Sequence, residues 1–351
     1  MATPSPTPRI HILGLGNLAK LFAHSLSTLP SPPPLTLLTH RPSLPPSSPI
    51  TLTLTRHSVP LPSPPLELSL ITPSGPEITH LILTTKSPST AAAIKPLLPR
   101  LSAESTILFT QNGIGAIEEV SALFPPSAQP TYLSAIVTHG VFSTGPLSAT
   151  HAGIADLKIG PVSSPPPTIG ISASSRWLMD TILSSEALAA TEVHPTELLK
   201  ATLEKLVANA VINPLTAIFR VPNASVLHPS LTPLRQALVE ETSAVVLAHL
   251  TSTLGALDAE TAERFSVERL GRMVERVCRV TGANRSSMLQ DVEAGRGTEV
   301  GFINGWVVRR GGEMGVGVGV SGGVVGMVEG GVVGKIEGAG EVFRGLEGCK
   351  G

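Results

Sequence analysis

Aromatic side chains make up only 3% of this 351-residue chain, so its cores must be built from leucine, valine, isoleucine and alanine. Cysteine is nearly missing as well. Cys278 and Cys349 cannot form a disulfide framework or a zinc site by themselves, which points to a reducing compartment and no bound metal. Neither sign of charge dominates, with 25 Lys+Arg against 26 Asp+Glu, and a nucleic-acid partner is thereby disfavoured. No stretch makes a convincing membrane span, and Met1–Arg9 lacks the apolar centre of a secretion signal. A soluble, cytoplasmic protein is expected, long enough for two domains with separate cores.

Two further absences divide the chain. Prolines crowd the first hundred residues, yet none follows Pro233. The front half therefore reads as short strands and helices joined by Pro/Ser loops such as Pro42–Pro49 and Val59–Pro65. The back half shows helical apolar spacing over Glu197–Phe219, Thr232–Leu254, Asp258–Thr281 and Ser286–Arg309. This order predicts an α/β, Rossmann-type dinucleotide-binding domain over residues 1–195 and an all-α domain over 196–351. The second absence is acidic: no Asp or Glu precedes Glu67.

The first strand–helix junction carries the clearest local signal. Ile10–Leu13 reads as a strand, Gly14-Leu15-Gly16-Asn17-Leu18-Ala19 as a turn, and Leu18–Leu29 as a helix. Gly14 permits the tight turn, Gly16 lets the backbone approach a pyrophosphate, and Ala19 is small enough for helix–strand packing. The helix start then offers free N–H groups and partial positive charge to the anion. A ligand-free glycine turn would have the same letters. Placement at the first strand–helix junction favours the dinucleotide.

The second strand, Leu35–Thr39, runs into His40-Arg41. A site for NAD usually has an acidic residue here to hold the ribose, and this chain has none. The Arg41 guanidinium instead suits a 2′-phosphate, so NADP is favoured over NAD. Later strand ends deliver Lys86, which could neutralise cofactor phosphate, and Asn112 within Gln111-Asn112-Gly113-Ile114-Gly115, which could bond ribose, nicotinamide or substrate. Taken singly, these would be an exposed lysine and a turn asparagine.

In the helical half, Lys205, Asn209 and Asn213 stand four residues apart, so they share one face of an otherwise apolar helix. A cation and two amides are costly to bury without partners, and the face suggests a polar ligand. Pro214 removes a helical N–H just beyond it and would bend the helix. Further on, Ser287 with Gln290 fits a capping box, and its hydroxyl and nearby amides could bind a carboxylate. Glu299 follows a Gly295-Arg296-Gly297 bend, either as a first-turn acid or facing the cleft near Lys205.

Together, Gly14–Ala19, Gln111–Gly115, Lys205–Ala217 and Ser286-Ser-Met-Leu-Gln-Asp291 with Arg296-Gly-Thr-Glu299 resemble the ketopantoate reductase (2-dehydropantoate 2-reductase) family, over about residues 10–310. The resemblance implies NADPH-dependent reduction of ketopantoate to pantoate, for pantothenate and coenzyme A synthesis. By position it implies a catalytic Lys205, an active-site Glu299, substrate contacts from Asn112, Asn209, Asn213 and Asn223, and a carboxylate anchor at Ser287. It also implies cofactor contacts along Gly14, Leu15, Gly16, Asn17, Leu18 and Ala19, and at Arg41, Lys86, Asn112, Gly140 and Glu299.

The chemistry agrees with the residues. An ordinary lysine has a pKa near ~10.4, so Lys205 would be protonated at neutral pH, able to stabilise a developing alkoxide and give up its proton. A reductase of another 2-oxo or 3-hydroxy acid would keep the same lysine, and an NADPH-binding sensor would need no proton donor. A homodimer is left open. The Gly/Val-rich tail from 311 departs from the family. Glycine costs roughly 0.8–1 kcal/mol against alanine in a helix, so the tail is expected to form a weak helix that frays or packs closely through its small residues.

Overall fold

The computed structural model describes residues 8–40, 49–162 and 171–347. The chain divides into two compact units, one of residues 1–111 with 116–200 and one of 112–115 with 201–351. The division falls inside a long helix, and it assigns Asn112–Gly115 to the second unit.

The first unit is built on two sheets. Its strands are β1 (Ile10–Leu13), β2 (Leu35–Thr39), β3 (Thr53–Arg56), β4 (Val59–Pro62), β5 (Glu67–Leu70), β6 (His80–Leu83), β7 (Thr106–Phe109), β8 (Thr131–Val137), β9 (Gly140–Gly145), β10 (Ser148–Gly153), β11 (Leu157–Pro161) and β12 (Ala190–Glu192). The large sheet has the order β12-β11-β8-β7-β6-β1-β2-β5. Six of these strands, β5 through β8 in that row, run parallel, and β11 enters antiparallel to β8. Strand order reverses between β1 and β6, the place where open α/β sheets bind ligands beyond their strand ends. Near-continuous apolar runs fit strands covered on both faces: every residue of β1, β6 and β7 is buried.

Helix α1 (Asn17–Ser27) buries Phe22 and Leu26 in the same core as Ile10, Ile12 and Leu37. Its Lys20, only 3% exposed, donates to Ser143 Oγ at 3.0 Å, Gly145 O at 2.7 Å and Ser148 O at 2.9 Å, which fixes the β9–β10 turn. The second sheet has the order β4-β3-β10-β9. Here the structure corrects the expected loop at Val59–Pro65, because Val59–Pro62 pairs with Arg56–Thr53 as an edge strand. An edge tolerates Pro60 and Pro62, whose missing N–H groups would break a central ladder. The Pro42–Pro49 loop lies almost wholly outside the described residues. Helices α2 (Ser87–Ile94), α3 (Ala116–Ser121) and α4 (Ala173–Leu183) complete the unit.

Helix α5 (Pro195–Phe219) begins in the first unit and supplies the second with residues from 201 onward. The expected Thr232–Leu254 helix is α6, with the same bounds. The helix expected over Asp258–Thr281 is two, α7 (Ala259–Arg264) and α8 (Val267–Val280), since Ser266 accepts from Arg269 N at 3.2 Å and starts a new cap. The span Ser286–Arg309 is also broken, into α9 (Ser287–Glu293) and α10 (Asn304–Met314), with a 3-10 turn at Val300–Phe302. Gly295 has φ +63° at that break, a left-handed conformation that glycine adopts without strain.

The glycine-rich tail is helical in α11 (Gly319–Glu329) and α12 (Ala339–Glu347). Glu241, buried on α6, accepts from Val320 N at 2.9 Å and Ser321 N at 2.7 Å and so caps α11 from another helix. Glycine permits the close packing: a Cβ on Gly311 would stand 2.6 Å from Val318 Cγ1. Among the described residues no helix is long and apolar enough to cross a membrane.

Candidate active site

In the first unit the glycine turn has the form its letters predict. Gly14 has φ +112°, and a Cβ there would lie 2.9 Å from Thr84 Oγ1, so glycine is required on both counts. Gly16 is the N-cap of α1, extended, and no side chain caps that helix. The first-turn amides are therefore open to an anion without competition from a side-chain cap. Ala19 is fully buried. Leu15 and Leu18 pack at the edge of the core, and Asn17 Nδ2 donates to Val141 O at 3.1 Å, tying the turn to β9.

Lys86 stands as the N-cap of α2, and its carbonyl accepts from Thr90 Oγ1 at 3.0 Å. Gln111, at the end of β7, donates to Thr90 Oγ1 at 3.1 Å, so these two strand ends are joined by side chains. Gly140 opens β9 against Gly153 of β10, and a Cβ on it would stand 3.3 Å from Gly153 Cα. Close strand approach thus explains its small size independently of any ligand. Arg41 lies outside the described residues.

In the second unit, three of the residues singled out in the sequence come together. Asn112 Nδ2 donates to Glu299 Oε2 at 3.2 Å, and the Glu299 charge acts on Lys205. The loop holding Asn112 is held by backbone as well, since Ile114 N donates to Phe302 O at 2.8 Å. Gly113 has φ +81°, and a Cβ there would lie 2.4 Å from Phe302 O. Lys205 is partly exposed, yet burial of its ammonium pushes the pKa down to about 8, while the Glu299 carboxylate opposes that shift. It is a softened acid, about ten-to-one protonated at pH 7.

Asn209 and Asn213 follow on α5, Asn213 being buried. Helix α5 continues through Pro214. Asn223 Nδ2 donates to Thr281 Oγ1 at 2.9 Å, and its buried Oδ1 has no protein partner. One expectation needs correction: the cap of α9 is Ser286, whose Oγ accepts from Leu289 N at 3.0 Å, while Ser287 is the first helical residue. Gln290 Nε2 turns to Arg285 O at 2.9 Å instead of closing a capping box on Ser287.

Ser286 and Thr216 were missed by the sequence reading. Their hydroxyls lie 2.7 Å apart, and Thr216 donates to Asn213 O at 2.9 Å. With the single Thr216 hydroxyl proton given to Asn213 O, the Ser286 hydroxyl is the donor to Thr216 Oγ1. Helix α9 is thus fixed to α5 beside Asn213. The adjacent Ser-Ser pair and the threonine two residues after Pro214 were the available signals.

A family profile described as "Ketopantoate reductase PanE/ApbA" matches residues 10–164, and one described as "Ketopantoate reductase PanE/ApbA C terminal" matches 197–330. The chain belongs to the ketopantoate reductase family. It is an oxidoreductase of that kind. A 2-dehydropantoate 2-reductase of Vibrio cholerae is 35% identical over 239 residues, covering 67% of this chain and 72% of that protein. A probable 2-dehydropantoate 2-reductase of Schizosaccharomyces pombe is 32% identical, covering 86% and 89%. A ketoisovalerate reductase of Gibberella fujikuroi is 28% identical, covering 89% and 80%. Among solved structures, a PanE/ApbA family ketopantoate reductase from Ralstonia eutropha superimposes with TM-score 0.73 at 18% identity, over 97% of this chain and 99% of that one. A D-mandelate dehydrogenase solved with NADH and anilino(oxo)acetate gives the same score at 19% identity, with the same coverage. These two likenesses show the fold.

Proposed function

We propose that this protein reduces the 2-oxo group of ketopantoate to give pantoate, with NADPH as reductant. The observation that carries the reading is the Lys205–Glu299–Asn112 cluster, whose lysine lies on the same helix as Asn209 and Asn213. A lysine with its pKa brought to about 8 remains charged at neutral pH yet gives up a proton more readily than an ordinary lysine.

The first unit fits a nicotinamide dinucleotide: Gly14 and the uncapped start of α1 form a backbone cradle for a pyrophosphate. When bound, that group supplies the hydride to the 2-oxo carbon. Lys205 stabilises the negative charge that builds on the carbonyl oxygen and delivers its Nζ proton there, completing the 2-hydroxy acid. The neutral amine then regains a proton from water. Glu299 keeps the ammonium charged between turnovers, and Asn112 holds Glu299 in place. Asn209, Asn213 and Ser287 orient the substrate, with Ser287 toward its carboxylate.

Choice among 2-oxo acids turns on a hydroxyl. Ketopantoate carries one that ketoisovalerate lacks, and Asn223 Oδ1 is a buried acceptor that such a donor would satisfy. Sites that bond a substrate hydroxyl reject the analogue lacking it far more strongly than apolar pockets reject a missing methylene. The test is NADPH oxidation by wild-type and Lys205→Ala protein with ketopantoate and ketoisovalerate side by side. Turnover with ketopantoate, lost in the variant while NADPH still binds, is the expected result. Reduction of ketoisovalerate in preference to ketopantoate would overturn the substrate. NADPH binding with no turnover of any 2-oxo acid would leave a sensor.

A further inference from the structure

Pro214 lies inside α5, and a proline there deprives the carbonyl four residues earlier of its helical donor. That carbonyl belongs to Ala210. Proline also crowds it, tilting it outward from the helix axis. Ala210 O is nevertheless paired: Asn304, fully buried at the first position of α10, donates its Nδ2 to it at 2.8 Å. The amide orientation is fixed by this bond, because the other end, Oδ1, is buried without a partner and would face a carbonyl oxygen if the amide turned over.

An isolated buried acceptor beside the Lys205–Asn209–Asn213 stripe would go unpaired at a cost in stability and leave the helix free to kink. The Asn304 amide prevents both.

We propose that Asn304 is a positioning residue: its amide replaces the peptide N–H that Pro214 lacks, and so sets the rise and twist of the α5 segment bearing Lys205, Asn209 and Asn213. The catalytic part of this inference rests on the function proposed above. The geometric part does not.

The experiment is a double-mutant cycle of wild type, Asn304→Leu, Pro214→Ala and Pro214→Ala/Asn304→Leu. Each protein is read by kcat and KM for ketopantoate reduction, by thermal midpoint, and by hydrogen exchange of the peptide spanning 205–213. Leucine keeps the volume and removes the donor, whereas alanine at 214 restores an N–H for Ala210 O. Asn304→Leu should lower kcat roughly 10- to 100-fold, as expected for a catalytic group displaced by about 1 Å, and speed exchange across 205–213. The double variant should recover most of both losses.

Unchanged kcat in folded Asn304→Leu, with only the melting point lowered, would overturn the positioning role. A loss of kcat that Pro214→Ala does not relieve would overturn the proposed substitution for the missing N–H. Should Asn304→Leu not fold alone, an active, folded double variant supports the proposal and an unfolded one overturns it. If wild-type protein reduces no 2-oxo acid, the proposed function fails by itself. Exchange across 205–213 then judges the geometric claim, which stands if protection is lost and restored through the cycle and falls if it is indifferent to position 304.

Discussion

Asn112 and Glu299 are joined by a 3.2 Å hydrogen bond across 187 positions of sequence, and the carboxylate it holds is the one acting on Lys205. The bond makes the electrostatics of the lysine depend on the Asn112–Gly115 turn, which belongs to the same compact unit.

The first prediction is a pH profile. With Lys205 titrating at about 8, kcat/KM for reduction should be level below that value and fall as pH rises through it. Glu299 raises the lysine pKa, so Glu299→Gln should move the falling limb to lower pH. A profile flat to pH 10, or a limb displaced upward in Glu299→Gln, would remove Lys205 as the proton donor.

The same shift has a sign for stability. The folded pKa of about 8 lies below the unfolded value near ~10.4, so the charged lysine costs stability below pH 8. That cost fades between pH 8 and ~10.4 as the unfolded chain also loses its proton. Lys205→Met should therefore raise the melting temperature at pH 7 by roughly 2–4 °C, with a smaller gain at pH 10. A gain that grows with pH would contradict burial as the cause.

Gly113→Ala should be severe. Its Cβ would be forced against Phe302 O in a left-handed conformation, displacing the loop that carries Asn112. Turnover should drop about 100-fold, while NADPH titrated by fluorescence still binds. Near-normal kcat would show that the Asn112–Glu299 contact is dispensable.

Glu241→Ala removes the acceptor for two buried amides and should cost about 1–3 kcal/mol in denaturant unfolding. Glu241→Gln keeps one acceptor oxygen and should cost less. Equal, negligible losses from both would mean that α11 holds itself.

For the cofactor, Arg41→Ala should weaken NADPH binding much more than NADH binding, since a guanidinium fork pairs with a 2′-phosphate and has no such partner in NADH. Equal weakening of both would withdraw that role from Arg41.

The parts legible in sequence were those decided locally. The β1–Gly14–α1 unit and the bounds of α6 follow from strand pattern, turn chemistry and helical spacing, all contained in short windows. The Lys205–Asn209–Asn213 stripe was readable for the same reason. What escaped was decided by distant partners. Val59–Pro62 became a strand because β3 offers it a ladder, overriding two prolines. Ser286 rather than Ser287 took the cap because Thr216, 70 positions away, engages its hydroxyl. The glycine-rich tail read only as a weak helix because the anchor that holds α11 lies far away, on α6.

That anchor also sets an order of assembly. Helix α11 takes its first acceptor from 79 positions upstream, so residues 319–329 excised as a peptide should stay uncoiled in water. Within the whole chain, the segment can wind only after α6 stands ready as its template, which makes the glycine-rich end a late folder and the first part to unravel under stress.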